Sequence, residues 1–147
     1  MREQPLAVQS SAPAAGRPQS AVVGIAVSDN FEVVFDADAE SRKVRNLRQA
    51  AGIAVVIGGT DRGDERTVQY EGVADEPEGV ELERLQELYF EVFPDGRERR
   101  EWPGITYIRA RPTWVRYTDF NQDPPAVVEF DRAALGLSDV RTDPRAA

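Results

Sequence analysis

The residues with the clearest chemical potential are Ser41-Arg42-Lys43. Ser41 is a good helix N-cap. Behind it, Val44, Leu47 and Ala51 fall at helical spacing, and Gly52 is placed to close the helix. A helix N-terminus presents unpaired N–H groups and a partial positive charge. Here a hydroxyl and two cations are added to it, which together suit a phosphate group. The same residues also admit a plainer reading, in which Ser41 only caps the helix and both cations face water. Of the 18 basic residues in the chain, Lys43 is the sole lysine, so the one ammonium group stands at this candidate site.

Other candidates are less specific. Asp36 and Asp38 flank Ala37 and have the chemistry to bind a metal or accept a proton, yet aspartates in a strand-to-helix loop commonly serve as turn and capping residues. Trp102 and Trp114 suit a pocket wall, although large aromatic side chains in or near strands are more often core or interface. Gly58-Gly59 lacks the lysine and spacing of a phosphate-binding loop. No paired-carboxylate arrangement is specific enough to name a catalytic acid or base.

Composition removes whole classes of mechanism. The chain of 147 residues has no histidine and no cysteine. Histidine-dependent triads, thiol chemistry, disulfides and zinc fingers are therefore excluded, and a metal would need oxygen ligands. With 26 acidic against 18 basic residues, the net charge of −8 gives no cationic field for nucleic acid. No apolar run approaches a membrane span, and Leu6-Ala7-Val8 is too short for a signal-peptide core, so a cytoplasmic protein is expected. The length suits one domain over residues 1–137, followed by a disordered tail over 138–147.

The elements that would position these residues are mainly strands. Leu6 to Ser11 is a short mixed run ended by a turn-rich segment. Ala21 to Val27 is apolar on both faces, which predicts a strand buried on both sides. Ser28-Asp29-Asn30 supplies a turn, and Phe31 to Phe35 returns as its hairpin partner. Ile53 to Ile57 reads as a further strand. Thr67 to Ala74 alternates, with Val68, Tyr70 and Gly72 on a core face and Thr67, Gln69 and Glu71 free to meet a ligand or partner. A long helix is predicted over 77–93, where Leu82, Leu85, Tyr89 and Val92 form one stripe and Pro94-Asp95-Gly96 ends it. The run from Arg97 to Glu101 reads as a solvated mixed-charge face. Strands resume at Ile105 to Ala110, Thr113 to Tyr117 and Ala126 to Phe130. This order lacks βαβ alternation and predicts an antiparallel barrel or sandwich with helices outside.

Several of these stretches, in their order, resemble the FMN-binding split-barrel family of pyridoxamine 5′-phosphate oxidase-like proteins. They are Pro18 to Gly24, Phe31 to Asp36, Ser41-Arg42-Lys43 and Thr67 to Gly72; Trp102 to Ile105 and Arg111 to Tyr117 resemble a bacterial subgroup. The similarity runs over roughly residues 5 to 130. It implies a mainly β (α+β) fold, a split antiparallel β-barrel with two or so flanking helices, assembled as a homodimer with the cofactor in the groove between subunits.

By the same resemblance, Arg42 and Lys43, with Ser41 beside them, hold the flavin phosphate. The backbone at Val22, Val23 and Gly24 runs along the flavin ring, and Asp36 and Ala37 lie at the cofactor. Thr67 stands where a glutamine commonly reaches the flavin, and Gln69 follows on the same face. The departures are equally informative. Ala21 and Ala26 replace an arginine and a lysine of true pyridoxamine phosphate oxidases, and Ala37 replaces a frequent threonine. The family's C-terminal substrate motif has no counterpart in a chain without histidine, and the helix that usually precedes the first strand is missing. Oxidation of pyridoxamine phosphate is therefore not expected. The resemblance implies instead a flavin-dependent oxidoreductase acting on an unidentified small molecule. Its alternatives are a reductase using the deazaflavin coenzyme and a non-catalytic flavin carrier, haem binder or empty barrel. Because the cofactor performs the electron transfer, no side chain is assigned a catalytic role.

Overall fold

The computed structural model describes residues 1–59 and 61–137. Eight strands form one antiparallel sheet: β1 (Leu6–Ser11), β2 (Gln19–Gly24), β3 (Ala26–Val27), β4 (Val33–Asp38), β5 (Gly52–Gly58), β6 (Arg66–Asp75), β7 (Ile105–Asp119) and β8 (Ala126–Asp131). Three helices accompany them: α1 (Arg42–Gln49), α2 (Gly79–Val92) and the short α3 (Gly96–Arg99). The strand order is β2-β1-β5-β6-β7-β4-β3, with β8 attached to β7. The sheet curls into a split barrel whose inner face carries Phe35, Ile53, Val55, Ile57, Tyr70, Ile108 and Val115. No described helix is long and apolar enough to cross a membrane.

The strands form where apolar and polar residues alternate. In β5 and β6 the inner residues are buried and the outer ones exposed, in strict period two. β7 is a single strand of 15 residues rather than two shorter ones, because Pro112 interrupts no second ladder. β4 pairs with residues 105–110 and β8 with residues 114–119, so the missing N–H at Pro112 falls between them. Opposite Pro112, the register of β6 shifts between Glu71 and Gly72.

The predicted hairpin over Ala21 to Phe35 is corrected in one respect. The strand breaks at Ile25, whose N–H donates to the Pro5 carbonyl at 2.8 Å. β2 therefore pairs with β1, and only Ala26–Val27 pairs back to β4. Nor is this run buried on both sides, since Val22 is 67% exposed on the outer face.

The helices cover different openings. α1 turns Val44 and Leu47 into the barrel core. It ends at Gln49, and Gly52, expected to close it, instead begins β5. α2 lays Leu85, Tyr89 and Phe90 against Ala26, Val34 and Tyr107 on the outer side of β3, β4 and β7. Each such buried side chain contributes roughly 1.5–3 kcal/mol. The charge run after Gly96 is not wholly solvated, because it forms α3 and half-buries Arg99. Trp102 is exposed and Trp114 half-buried, so neither joins the core. The predicted tail over 138–147 lies outside the described residues.

Candidate functional site

β4 delivers the chain directly to the first turn of α1. The Asp38 carboxylate accepts a 2.7 Å bond from the Glu40 N–H, and its carbonyl accepts one of 2.9 Å from the Ser41 N–H. Ser41 takes the extended N-cap conformation, yet its hydroxyl makes no capping bond. That Oγ is buried and has no hydrogen-bond partner among the described residues. A buried hydroxyl without a partner is unfavourable by about 1–3 kcal/mol.

The cations of α1 divide into two groups. Arg48 forks onto Glu76 with two bonds of 2.8 Å, and Arg45 donates to the Glu40 carbonyl at 2.8 Å. Arg42 and Lys43 have no ionic or hydrogen-bond partner among the described residues. Arg42 is exposed and Lys43 half-buried in the first turn of α1, where the free N–H groups and the helix dipole favour an anion. Arg48 has the opposite effect nearby: its guanidinium holds the Glu76 carboxyl below the usual carboxylate range.

α1 packs beside β1 and β2. β2 pairs only with β1, which leaves its other backbone edge open toward β4. The Asn46 amide of α1 donates to Ser11 Oγ on β1 at 3.4 Å, and Val22, Val23 and Gly24 lie on the edge strand β2. Of these, Val23 points into the core and Val22 points outward. Gly24 faces the ring of Phe93 at the end of α2; a Cβ there would lie 2.7 Å from Phe93 Cζ. Sequence reasoning missed Phe93, and its only local signal was a glycine interrupting a β-branched run.

The remaining predicted residues are placed elsewhere. Ala37 is buried in the barrel core. Asp36 turns to the opposite face, where its Oδ1 accepts from the Tyr89 hydroxyl at 2.9 Å and its Oδ2 from Arg99 Nε at 2.9 Å. Burial and the adjacent Asp36 charge push the Tyr89 phenol up. Thr67 and Gln69 lie on the outer sheet face. Paired positions run straight across that face from Val22 to Val8, Val56, Gln69, Arg116 and Glu129. Three strand spacings separate Gln69 from Val22, about 14 Å. Thr67 and Gln69 thus lie across the outer face of the sheet from β2.

A family model described as pyridoxamine 5′-phosphate oxidase matches residues 1–119. The chain belongs to that family. Several solved structures share its fold at low identity. A heme binding protein from Mycobacterium smegmatis superposes with a TM-score of 0.77 at 15% identity, covering 92% of this chain and 56% of that one. The chain thus spans little more than half the length of that protein. A pyridoxamine 5′-phosphate oxidase-related, FMN binding protein from Nostoc punctiforme gives 0.67 at 12% identity, with coverage of 87% and 81%. The heme storage protein HutZ from Vibrio cholerae gives 0.67 at 14%, with coverage of 75% and 82%. No curated protein matches by sequence. At such identities these structures establish a common fold, and the chemistry must be argued from the residues.

Proposed function

We propose that the chain binds FMN and acts as a flavin-dependent oxidoreductase on a small molecule, as a cytoplasmic homodimer with the cofactor in the groove between subunits. The observation that carries this reading is the first turn of α1, where the buried Ser41 hydroxyl and the cations Arg42 and Lys43 all lack partners among the described residues. These groups fit a phosphate monoester. The hydroxyl donates to one oxygen, and the two cations neutralise the charge on the others. The open edge of β2 offers main-chain N–H and C=O groups to a polar ring edge, while exposed Val22 offers an apolar surface. Bound flavin would supply the electron or hydride transfer; the protein binds it, orients it and limits access to it. The outer face supports the proposed dimer. Thr67 and Gln69 are too far from β2 in their own subunit, whereas a second copy docked on the same face would carry its own pair toward that edge.

A second reading keeps the cofactor and removes the turnover. Ala21 and Ala37 offer the ring no side-chain hydrogen bond, which suits a carrier. The deazaflavin coenzyme would use the same phosphate contacts. Haem is the ligand named for two structural neighbours, but no histidine or cysteine is present here to hold its iron.

The test is an absorption titration of the purified protein with FMN, the deazaflavin coenzyme and haemin, repeated on an Arg42→Ala/Lys43→Ala variant. Charge-assisted bonds of about 1.5–3 kcal/mol each predict that FMN affinity falls at least about 30-fold in the variant. Unchanged FMN affinity with an intact circular dichroism spectrum rules out this placement. Saturation by haemin alone overturns the flavin reading. Bound FMN that NAD(P)H and dithionite-linked dyes fail to reduce favours the carrier.

A further inference from the structure

Three of the four tyrosines are buried, and their hydroxyls meet different chemistry. The Tyr70 hydroxyl lies 2.8 Å from the Ala110 carbonyl and 3.2 Å from that of Phe31, both neutral amides. The Tyr107 hydroxyl has no partner among the described residues. Tyr89, on α2, donates instead to a carboxylate, with its hydroxyl 2.9 Å from Asp36 Oδ1 on β4. Arg99 Nε donates to the other oxygen, Oδ2, at 2.9 Å, which leaves Oδ1 to the phenol. Three aromatic rings neighbour Tyr89: Phe93 at 4.9 Å between centroids, Tyr107 at 6.0 Å and Phe90 at 6.4 Å.

We propose that Tyr89 is a redox-active site, the tyrosine from which a one-electron oxidant takes its electron, with Asp36 as the built-in proton acceptor. Burial and the adjacent Asp36 charge push the phenol up, so it is protonated at neutral pH. Removing an electron alone would leave a cationic phenol in an apolar cluster, with Arg99 Nη2 3.5 Å from its oxygen. Moving the proton with the electron avoids that charge. The phenolic O–H bond breaks, the proton crosses the 2.9 Å hydrogen bond to Asp36 Oδ1, and the electron passes to the oxidant. The products are a neutral tyrosyl radical, a neutral Asp36 carboxylic acid and the reduced oxidant; re-reduction returns the proton and the electron to Tyr89. Among the described residues, Tyr89 is the one tyrosine whose hydroxyl is bonded to an ionisable base. At 1% exposure, it also keeps its radical away from water and other molecules. The assignment does not depend on the flavin reading, because any one-electron oxidant of sufficient potential serves.

The experiment oxidises the full-length protein by flash photolysis with tris(bipyridine)ruthenium(II) and a cobalt(III) pentaammine chloride electron sink. Electron paramagnetic resonance of frozen samples then reads the radical, and transient absorption reads its rate of formation. The expected result is a tyrosyl signal that falls at least tenfold in Tyr89→Phe and stays within twofold in Tyr70→Phe, Tyr107→Phe and Tyr117→Phe. Asp36→Asn keeps an oxygen for the hydroxyl but removes the base, so the tyrosyl yield should fall at least threefold. The rate in the parent should be independent of buffer concentration, because the base is internal, and should become buffer-dependent in Asp36→Asn; a purely structural Asp36 would not produce that change. A signal that persists in Tyr89→Phe, or disappears in one of the other three tyrosine variants instead, overturns the assignment. So does oxidation that stops at Trp102 or Trp114 with no tyrosyl signal. Equal yield and equal buffer independence in Asp36→Asn overturn the role of Asp36, and the other three tyrosine variants decide the site even if Tyr89→Phe fails to fold.

Discussion

Replacing Asp36 by asparagine separates two roles that its position in the sequence leaves confounded. The residue adjoins Ala37 and precedes the Ser41-Arg42-Lys43 turn, but its carboxylate faces α2 and α3. It is 17% exposed, and its partner Arg99 is 23% exposed, so the pair is largely screened from water. Asparagine keeps an oxygen for the Tyr89 hydroxyl and loses the charge opposite Arg99 Nε. A charge-assisted bond is worth about 1.5–3 kcal/mol, and Arg99 retains Asp95, so the expected loss is about 2 kcal/mol. With a urea slope of about 2 kcal/mol/M, the unfolding midpoint should fall by about 1 M at unchanged slope. Asp36→Ala also strands the Tyr89 hydroxyl and should lose about 1 kcal/mol more. Equilibrium urea unfolding by tryptophan fluorescence measures both, and FMN titration of the folded variants should give affinities within threefold of the parent. An Asp36→Asn protein with an unshifted midpoint and tenfold weaker FMN binding would refute this reasoning and return Asp36 to the cofactor site.

Three further outcomes are expected. Val56 is 45% exposed at the middle of the outer face, so Val56→Arg should convert the proposed dimer to a monomer in light scattering; persistence of a dimer excludes this face as the interface. Stability should be level from pH 6 to 8, because the chain has no histidine, and should fall in acid. The Glu76 carboxyl is held low by Arg48 and the Asp64 carboxyl is held at about 2 by Arg66. Their stabilisation is complete above the unfolded values near 4 and is lost as pH falls through the depressed ones; a melting temperature that drops between pH 8 and 6 contradicts this. Gly24→Ala drives a methyl group into Phe93 and should destabilise by about 1–3 kcal/mol, with less effect in a Phe93→Leu background; equal effects in both backgrounds mean that the ring is not the obstacle.

The legible parts of the fold are those where local pattern and tertiary environment agree. β5 and β6 have one face in the barrel and one outside, so their alternation reports burial directly. α2 shows Leu85 and Tyr89 of its stripe for the same reason, while Val92, placed on that stripe by its spacing, is exposed and Phe90 is buried instead. The break at Ile25 was hidden because Val23, Ile25 and Val27 all point into the barrel, so the inward parity continues while the hydrogen-bond partner changes from β1 to β4. Nothing in the intervening residues records that exchange. Arg99 was hidden differently. It lies in a charge run that reads as solvated, and the acid that holds it is 63 residues distant in sequence. At the candidate site, Ser41-Arg42-Lys43 was readable from residue type alone, whereas the orphaned Ser41 hydroxyl and the open edge of β2 exist only in three dimensions.

The same exchange at Ile25 explains why the barrel is split where it is. A strand that continued along β1 would leave β4 without its pairing to Ala26–Val27; one that paired with β4 throughout would leave β1 without β2. Crossing over serves both neighbours and leaves the free edge of β2 facing β4, with α1 filling the core behind it. An open edge and an exposed apolar row invite uncontrolled association unless something covers them. Here both features belong to the same strand: exposed Val22 begins an outward row through half-buried Val8 to exposed Val56, and its backbone belongs to the unpaired edge. A flat cofactor on the edge and a second subunit on the row would cover each in turn. If the proposed cofactor and second subunit share this strand, ordering it for either partner would lower the entropy that the other must overcome, and the two associations would reinforce each other.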